Sequence, residues 1–145
     1  MLSEIGIIFV SAALLLSLSL IYFSYVEVKA LNNLIPKKIY KFSLLQLIFS
    51  LMGFVTLLIG YVFSDFSMVN VYENSHTTKP LFYKISGTWG NHEGSLLLWI
   101  NILVLFSSLF LFLTKNSDKG FKILTLLFQN LLITTFLIFL LTNSN

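Results

Sequence analysis

The residues best able to do chemistry lie in one short segment between two long apolar stretches. The segment from Leu81 to Trp99 reads LFYKISGTWGNHEGSLLLW and is the most polar, glycine-rich part of the chain. Its candidate site residues are seven consecutive positions: Trp89, Gly90, Asn91, His92, Glu93, Gly94 and Ser95. No nucleophile triad, phosphate-binding loop or metal-ligand spacing accompanies them. The sequence therefore predicts a contact surface, with no catalytic residue and no metal site.

His92 has two interpretations that the sequence leaves open. An imidazole titrates near physiological pH and is able to ligate haem iron or a metal. A lone histidine is also a common structural residue that makes hydrogen bonds, and no second histidine stands at helical spacing from it. His76 lies upstream in a segment rich in Ser, Thr and Asn, which predicts a solvated loop.

The neighbours of His92 also have structural explanations. Asn91 is a favourable helix N-cap, and Glu93 in the following turn would complement the helix dipole. Trp89 is typical of an aromatic anchor at the membrane–water interface. Three glycines permit turns and the close approach of another chain or a flat cofactor: Gly87, Gly90 and Gly94.

The composition indicates an integral membrane protein. Of 145 residues, 57% are apolar and only 10% are charged, whereas a soluble domain has about a quarter charged residues. All nine basic residues are Lys and there is no Cys, so the chain has no disulfide and no thiolate metal site. No basic stripe suited to nucleic acid is present. The frequent use of Phe, Leu, Ile, Asn and Lys is typical of an A+T-rich gene, which suggests an organelle-encoded protein.

Four apolar segments predict an all-α protein with four transmembrane helices in a single domain. A run of about 22 residues forms a helix of roughly 33 Å, enough to cross a hydrocarbon core of about 30 Å. We expect the first run to be a span rather than a signal peptide, because it is long and follows Glu4 without a Lys. The predicted spans are residues 5–26, 42–63, 95–114 and 123–141, with one long loop over residues 64–94.

The lysines are distributed unequally between the two ends of the predicted bundle. Seven of the nine lie in the connections Glu27–Lys41 and Lys115–Lys122. The termini and the 64–94 loop carry only Lys79 and Lys84. The positive-inside rule then places the loop and both termini in the outer compartment, which is the periplasm or the intermembrane space.

The predicted spans contain no ionisable residue at their centres, which argues against a proton or ion path. Their strongest polar groups are expected to make hydrogen bonds between helices, and these are Gln46, Asn101, Gln129 and Asn130. Gly53 and Gly60 are seven residues apart. They either let a neighbouring helix approach or are simply tolerated within a membrane helix.

The polar segment resembles the amino-terminal part of the CcmF family, the membrane component of the machinery that attaches haem to c-type cytochromes. The matching residues are Ser64–Ser67, Pro80 and Phe82–Trp99, with the core WGNHEGSLLLW. The likeness is close to the split mitochondrial versions around ISGTW and NHEGS. It covers nearly all of this chain but only the first part of a full-length family member.

The resemblance implies a subunit rather than a complete haem lyase. The family's Trp-rich, Asp-containing haem segment and its flanking histidines have no counterpart here, and His92 does not occupy one of those ligand positions. The chain alone would therefore bind no cofactor, and haem would be held by the complex. The implied partners are a second chain carrying the Trp-rich segment, a haem carrier, apocytochrome c and the lipid bilayer, and no nucleic acid. The implied location is the mitochondrial inner membrane or a bacterial-type inner membrane.

A structural role is the alternative that the sequence leaves open. A lyase-derived fragment of this kind would serve as an accessory subunit of a mitochondrial respiratory complex, with no haem nearby.

Overall fold

The computed structural model describes residues 2–30, 34–114 and 118–143, and within these ranges the chain is all-helical. Its six helices are α1 Leu2–Lys29, α2 Lys37–Phe63, α3 Val69–Asn74, α4 Leu81–Gly87, α5 His92–Leu113 and α6 Lys119–Asn143. Four of these, α1, α2, α5 and α6, are long and apolar enough to cross a membrane. The predicted all-α class with four membrane-spanning helices is confirmed.

The helices extend beyond the apolar runs that predicted them. Each of the four long helices begins three to five residues before its predicted span. The start of α2 includes Lys37, Lys38 and Lys41, because lysine is a good helix former. Hydropathy predicts where a helix lies in the membrane and not where the helix ends. Pro36 stands at the N-cap of α2, where its fixed φ and missing amide hydrogen cost nothing.

The predicted loop over residues 64–94 includes helical segments. It contains α3, α4 and the beginning of α5. Pro80 precedes α4 as its N-cap. Predicted polar segments that include residues 31–33, 115–117 and 144–145 lie in part outside the described residues.

The four long helices form an antiparallel ring in the order α1, α2, α5, α6, and α6 packs back against α1. One apolar cluster includes Val10, Leu57 and Ile133, and a second includes Leu20 and Ile123. The bundle is held by apolar packing along its whole length.

The two glycines of α2 have different neighbours. A Cβ atom at Gly53 would lie 2.9 Å from Val10 Cγ2 of α1, so a helix does approach closely there. A Cβ at Gly60 would meet Met68 Sδ, which belongs to the segment after α2. Close helix packing thus explains Gly53 and not Gly60.

Hydrogen bonds between helices cross the middle of the bundle. Gln46 Nε2 donates to Asn130 Oδ1 at 3.0 Å, which joins α2 to α6. Ser50 Oγ donates to Asn101 Oδ1 at 3.1 Å, which joins α2 to α5. The expected role is confirmed for these three amides. It is wrong for Gln129, whose buried Oε1 has no partner among the described residues.

Contacts at the two ends fix the up-and-down topology. At one end, Lys119 Nζ pairs with Glu27 Oε2 at 2.9 Å and joins the connections that were predicted to lie together. At the opposite end, Ser3, Glu93 and Leu141 line one cavity of about 80 Å³. The start of α1, the 64–94 segment and the end of α6 therefore share one end of the bundle.

Candidate functional site

The turn after α2 begins the site. Ser64 adopts a left-handed conformation with φ 55°, which ends α2 and reverses the chain. Asp65 N donates to Gly60 O at 2.9 Å, so the end of α2 is capped by backbone bonds. Lys84 Nζ of α4 donates to Ser64 Oγ at 2.6 Å. This bond ties α4 to the end of α2.

Asp65 then forms a tight turn of its own. Its Oδ1 accepts hydrogen bonds from Ser67 Oγ at 2.7 Å and from Ser67 N at 3.1 Å. The hydroxyl bond, followed by the backbone bond, lowers the pKa of the Asp65 carboxyl below its ordinary value. The turn is therefore most stable with Asp65 ionised.

Asn91 is the N-cap of α5, as the sequence allowed. Its Oδ1 accepts a hydrogen bond from Gly94 N at 2.7 Å, and Glu93 lies in the first turn of the helix. The Asn91 amide nitrogen also donates to Tyr61 OH at 2.7 Å and to Gly87 O at 3.1 Å. One side chain thus joins α2, α4 and α5.

Asn70 of α3 completes this arrangement and was not predicted from the sequence. Its Nδ2 donates to Glu93 Oε2 at 2.6 Å and to Asn91 Oδ1 at 3.0 Å. Tyr61 OH donates to Asn70 Oδ1 at 2.7 Å. We call Tyr61, Asn70, Asn91 and Glu93 the polar hub. It connects α2, α3 and α5, so Glu93 supports the fold as well as the helix dipole.

The close approaches at the glycines are made by the chain itself. A Cβ atom at Gly94 would meet the carbonyl oxygen of Thr88, and one at Gly87 would lie 3.1 Å from the Tyr61 ring. At Gly90 the nearest atom would be Ser86 O at an ordinary 3.4 Å. Gly87 and Gly94 therefore have intramolecular packing partners, whereas Gly90 is exposed and unconstrained.

The other residues of the motif lie at the surface. His92 is exposed, and its imidazole makes no hydrogen bond within the described part of the chain. Its backbone carbonyl accepts a hydrogen bond from Ser95 Oγ at 3.0 Å. Trp89 is 42% exposed, which agrees with an interfacial position. Among the described residues no group of His, Asp or Glu side chains is placed to hold a metal ion.

A groove runs beside His92 between α5 and α6. Its volume is about 440 Å³. It is lined by His92, Glu93, Ser95, Leu96, Trp99, Phe139, Leu140 and Asn143. Trp99 is 61% exposed on the outer side of α5. The groove therefore offers one free imidazole beside two aromatic rings, next to the carboxylate that the polar hub holds.

Comparison with known proteins gives a consistent set of matches. No family model matches the chain. The cytochrome c-type biogenesis protein CycK of Bradyrhizobium diazoefficiens is 48% identical over 103 residues, which are 71% of this chain and 16% of that protein. CycK of Rhizobium meliloti is 50% identical over 93 residues, which are 64% of this chain and 14% of that protein. The chain is homologous to one part of the CcmF/CycK cytochrome c-type biogenesis proteins.

Other comparisons agree with the homology to CcmF and CycK. The CcmF protein of Haemophilus influenzae is 36% identical over 93 residues, 64% of this chain and 14% of that protein. A solved structure, the cytochrome c haem lyase CcmF, superposes with a TM-score of 0.90. It is 23% identical and covers all of this chain, which spans 24% of that structure. At this identity the superposition shows that the fold is that of one part of CcmF.

The matched region is a small share of the whole CcmF and CycK proteins. The chain spans 14–16% of the length of these three relatives. Any activity that requires a whole CcmF-type protein therefore requires more polypeptide than the helices described above.

Proposed function

We propose that this chain is one subunit of a membrane haem lyase complex that attaches haem covalently to apocytochrome c. The observation that carries the proposal is the 48% identity over 103 residues to a cytochrome c-type biogenesis protein of which the chain spans only 16%. High identity over most of this chain supports a shared task. The rest of the relative lies outside the matched residues, and in this proposal a second chain supplies it.

The second chain would carry the Trp-rich haem segment, and haem and apocytochrome c would be the substrates of the complex. Thioether formation adds a cysteine S–H across a haem vinyl group, with no net change of oxidation state. The cysteines belong to the apocytochrome, which is consistent with the absence of Cys from this chain. A haem carrier would deliver haem to the same face.

The surface that this chain would supply is the exposed part of the WGNHEGS motif. Asn91, Glu93 and Gly94 hold the turn by hydrogen bonds and close packing. The motif's remaining residues, Trp89, Gly90, His92 and Ser95, would contact haem or the partner chain. One exposed imidazole beside an open aromatic groove fits contact with a haem edge better than an enclosed haem-binding pocket, which would bury most of the haem.

The proposed location is the mitochondrial inner membrane or a bacterial-type inner membrane. The lysine-rich end, with Lys29, Lys37 and Lys119, would face the matrix or cytoplasm. The polar hub and His92 would then face the intermembrane space or periplasm. Replacing the exposed Ser67 by Cys and labelling it with a membrane-impermeant maleimide tests this orientation. The reagent should label the cysteine from the outer compartment. Labelling that occurs only when the reagent reaches the lysine-rich side of the membrane would contradict the orientation.

The His92 side chain offers a sharp test, because the fold makes no use of its imidazole. We expect His92→Ala to lower the yield of holocytochrome c at least tenfold while membrane insertion and thermal stability stay unchanged. His76→Ala is the matched control, since His76 is also exposed in the same segment. Equal holocytochrome c yields in the two variants would contradict a contact role for His92.

Purification of the native complex tests the subunit assignment. A tagged chain should co-purify from mild detergent with a larger membrane protein that carries the Trp-rich segment, and the complex should show a haem absorption spectrum. Recovery within a respiratory complex, with holocytochrome c unaffected by deletion of the chain, would instead favour the accessory structural role.

A further inference from the structure

One side of α5 carries large exposed side chains at every seventh residue. Trp99, Phe106 and Leu113 are 61%, 61% and 72% exposed, and the exposed His92 begins the same series. Residues seven apart on a helix differ in direction by only about 20°, so these four side chains form one stripe. His92 and Trp99 line the groove between α5 and α6. The stripe therefore follows the edge of α5 that borders α6, and its spacing is that of a helix that packs along another helix.

The neighbouring helix α6 carries a matching stripe of phenylalanines. Phe121, Phe128 and Phe139 are each more than half exposed, and their directions around the helix agree to within about 20°. Phe121 lies with its ring centroid 5.9 Å from that of Phe110 of α5, and Phe139 lines the groove, so this stripe borders α5. We call four of these exposed side chains the aromatic seam: Trp99, Phe106, Phe128 and Phe139.

The exposed sides of α1 and α2 have a different composition. Near the middle of these two helices the large exposed side chains are aliphatic or Met, and they are Leu15, Leu18, Ile48, Leu51, Met52 and Val55. Lipid tails are as apolar as leucine, so contact with lipid alone gives no reason for aromatic rings to gather on one boundary. The buried centres of protein interfaces are enriched in Trp and Phe. The aromatic seam therefore has the composition of a protein contact.

Trp99 also has an unused hydrogen-bond donor. Its indole N–H makes no hydrogen bond within the described part of the chain. Trp99 lies seven residues along α5 from His92, which is about 10 Å and deeper than the interfacial level at which tryptophan is common. A tryptophan N–H usually has an acceptor when it is removed from water. Acyl chains contain no acceptor, whereas a second polypeptide has side-chain and carbonyl oxygens.

We infer that the aromatic seam is the docking surface for a transmembrane helix of the second chain. The inference rests on the proposed function, which supplies that chain. Our chain spans only 24% of the solved CcmF structure that it matches, so most of that protein lies outside the helices described above. The seam is continuous with His92 and Ser95 in the same groove, and these are motif residues proposed to contact haem or the partner chain. The docked helix would be apolar and would present an oxygen acceptor to Trp99.

Photo-crosslinking tests which molecule covers the seam. The full-length chain, with p-benzoylphenylalanine in place of Phe106, is co-expressed with the larger membrane protein that carries the Trp-rich segment, and the membranes are irradiated. We expect an adduct in which mass spectrometry identifies a transmembrane peptide of the larger protein. Leu15 is the matched control site, because it is 65% exposed near the middle of α1. The same adduct from that site should be at least tenfold less abundant.

Substitutions measure what the seam contributes to assembly. The double variant Phe106→Ala and Phe128→Ala should lower the recovery of the larger protein with the tagged chain at least fivefold. Trp99→Phe, which keeps an aromatic ring and removes the N–H, should lower it about threefold, and Leu15→Ala should leave it unchanged. All of these side chains are exposed, so the thermal midpoint of the isolated chain should not change.

The possible failures separate the docking surface from the proposed function. An adduct at Phe106 with a second copy of this chain, or with lipid alone while the larger protein still co-purifies, would overturn the docking surface and leave the proposed function standing. Full recovery of the larger protein with the double variant would do the same. If the larger protein does not co-purify with the unsubstituted chain, the proposed function is contradicted and the docking surface with it.

Discussion

Substitution of Gly94 by alanine tests how the WGNHEGS turn is built. An added Cβ would meet the carbonyl oxygen of Thr88 inside any normal contact distance, and would lie 3.2 Å from Asn91 Oδ1. A backbone carbonyl cannot swing away as a flexible side chain would. The end of α4 and the start of α5 must therefore separate, and the bond from Gly94 N to Asn91 Oδ1 is stretched or lost.

The size of the effect follows from these two contacts. Overpacking costs about 1–3 kcal/mol, and loss of an N-cap bond costs about 1 kcal/mol. We therefore expect Gly94→Ala to lower the free energy of unfolding by about 2–4 kcal/mol. The polar hub would be displaced with the turn, because Asn91 also donates to Tyr61 OH.

Gly90→Ala is the matched control four residues earlier. An added Cβ there would have only ordinary contacts, the nearest at 3.4 Å, and the backbone φ is not positive. The expected change in unfolding free energy is within about 1 kcal/mol in either direction, since alanine also restricts the unfolded chain. Both variants are unfolded reversibly in mixed micelles by titration with sodium dodecyl sulfate. A Gly94→Ala variant as stable as Gly90→Ala would refute the packing argument.

Two further predictions concern the bundle and the turn after α2. Asn130→Ala should lower the free energy of unfolding by about 1–3 kcal/mol, because it removes the acceptor of Gln46 Nε2. The neighbouring variant Gln129→Ala should lower it by less than about 1 kcal/mol. Both are measured by the same titration with sodium dodecyl sulfate. A Gln129 variant as damaging as the Asn130 variant would contradict this assignment. Ser67→Ala should raise the pKa of Asp65 toward its ordinary value, as measured by carboxyl carbon NMR. An unchanged pKa of Asp65 would show that the hydrogen bond from the Ser67 hydroxyl does not lower it. Because the pKa of the folded state is depressed, the stabilising contribution of Asp65 is present above its ordinary pKa and is lost as pH falls through the folded value.

Hydropathy predicted the four long helices because a continuous apolar run of membrane length has few other uses. It did not predict which side of each helix faces the core, since these spans are apolar all round. Gln129 and Asn130 illustrate the limit: adjacent residues point about 100° apart on a helix. Only Asn130 faces α1 and α2, where Gln46 and Ser17 reach it.

The residues of the candidate site could likewise be predicted from the sequence where their contacts are local, and could not be where their contacts are tertiary. The Asn91 cap was foreseeable, because its hydrogen bond to Gly94 N spans three residues. Asn70 and Tyr61 were not, since their bonds to Asn91 span 21 and 30 residues and no local pattern marks them. The sequence left Gly94 open to a turn or to the close approach of another chain or a cofactor, and its close neighbour is Thr88 of the same chain.

This division affects how any loss of function in the motif is to be read. Asn91, Glu93 and Gly94 are fixed by contacts within the chain, so variants at these positions would reduce activity through misfolding even if they touched no substrate. His92 makes no such contact, so its loss should act only through what binds outside the chain. If His92→Ala abolishes holocytochrome c formation while the stability of the chain is unchanged, the surface shared with haem or the partner chain lies at His92. The same loss of activity in Glu93→Ala would not locate that surface, because Glu93 also supports the fold.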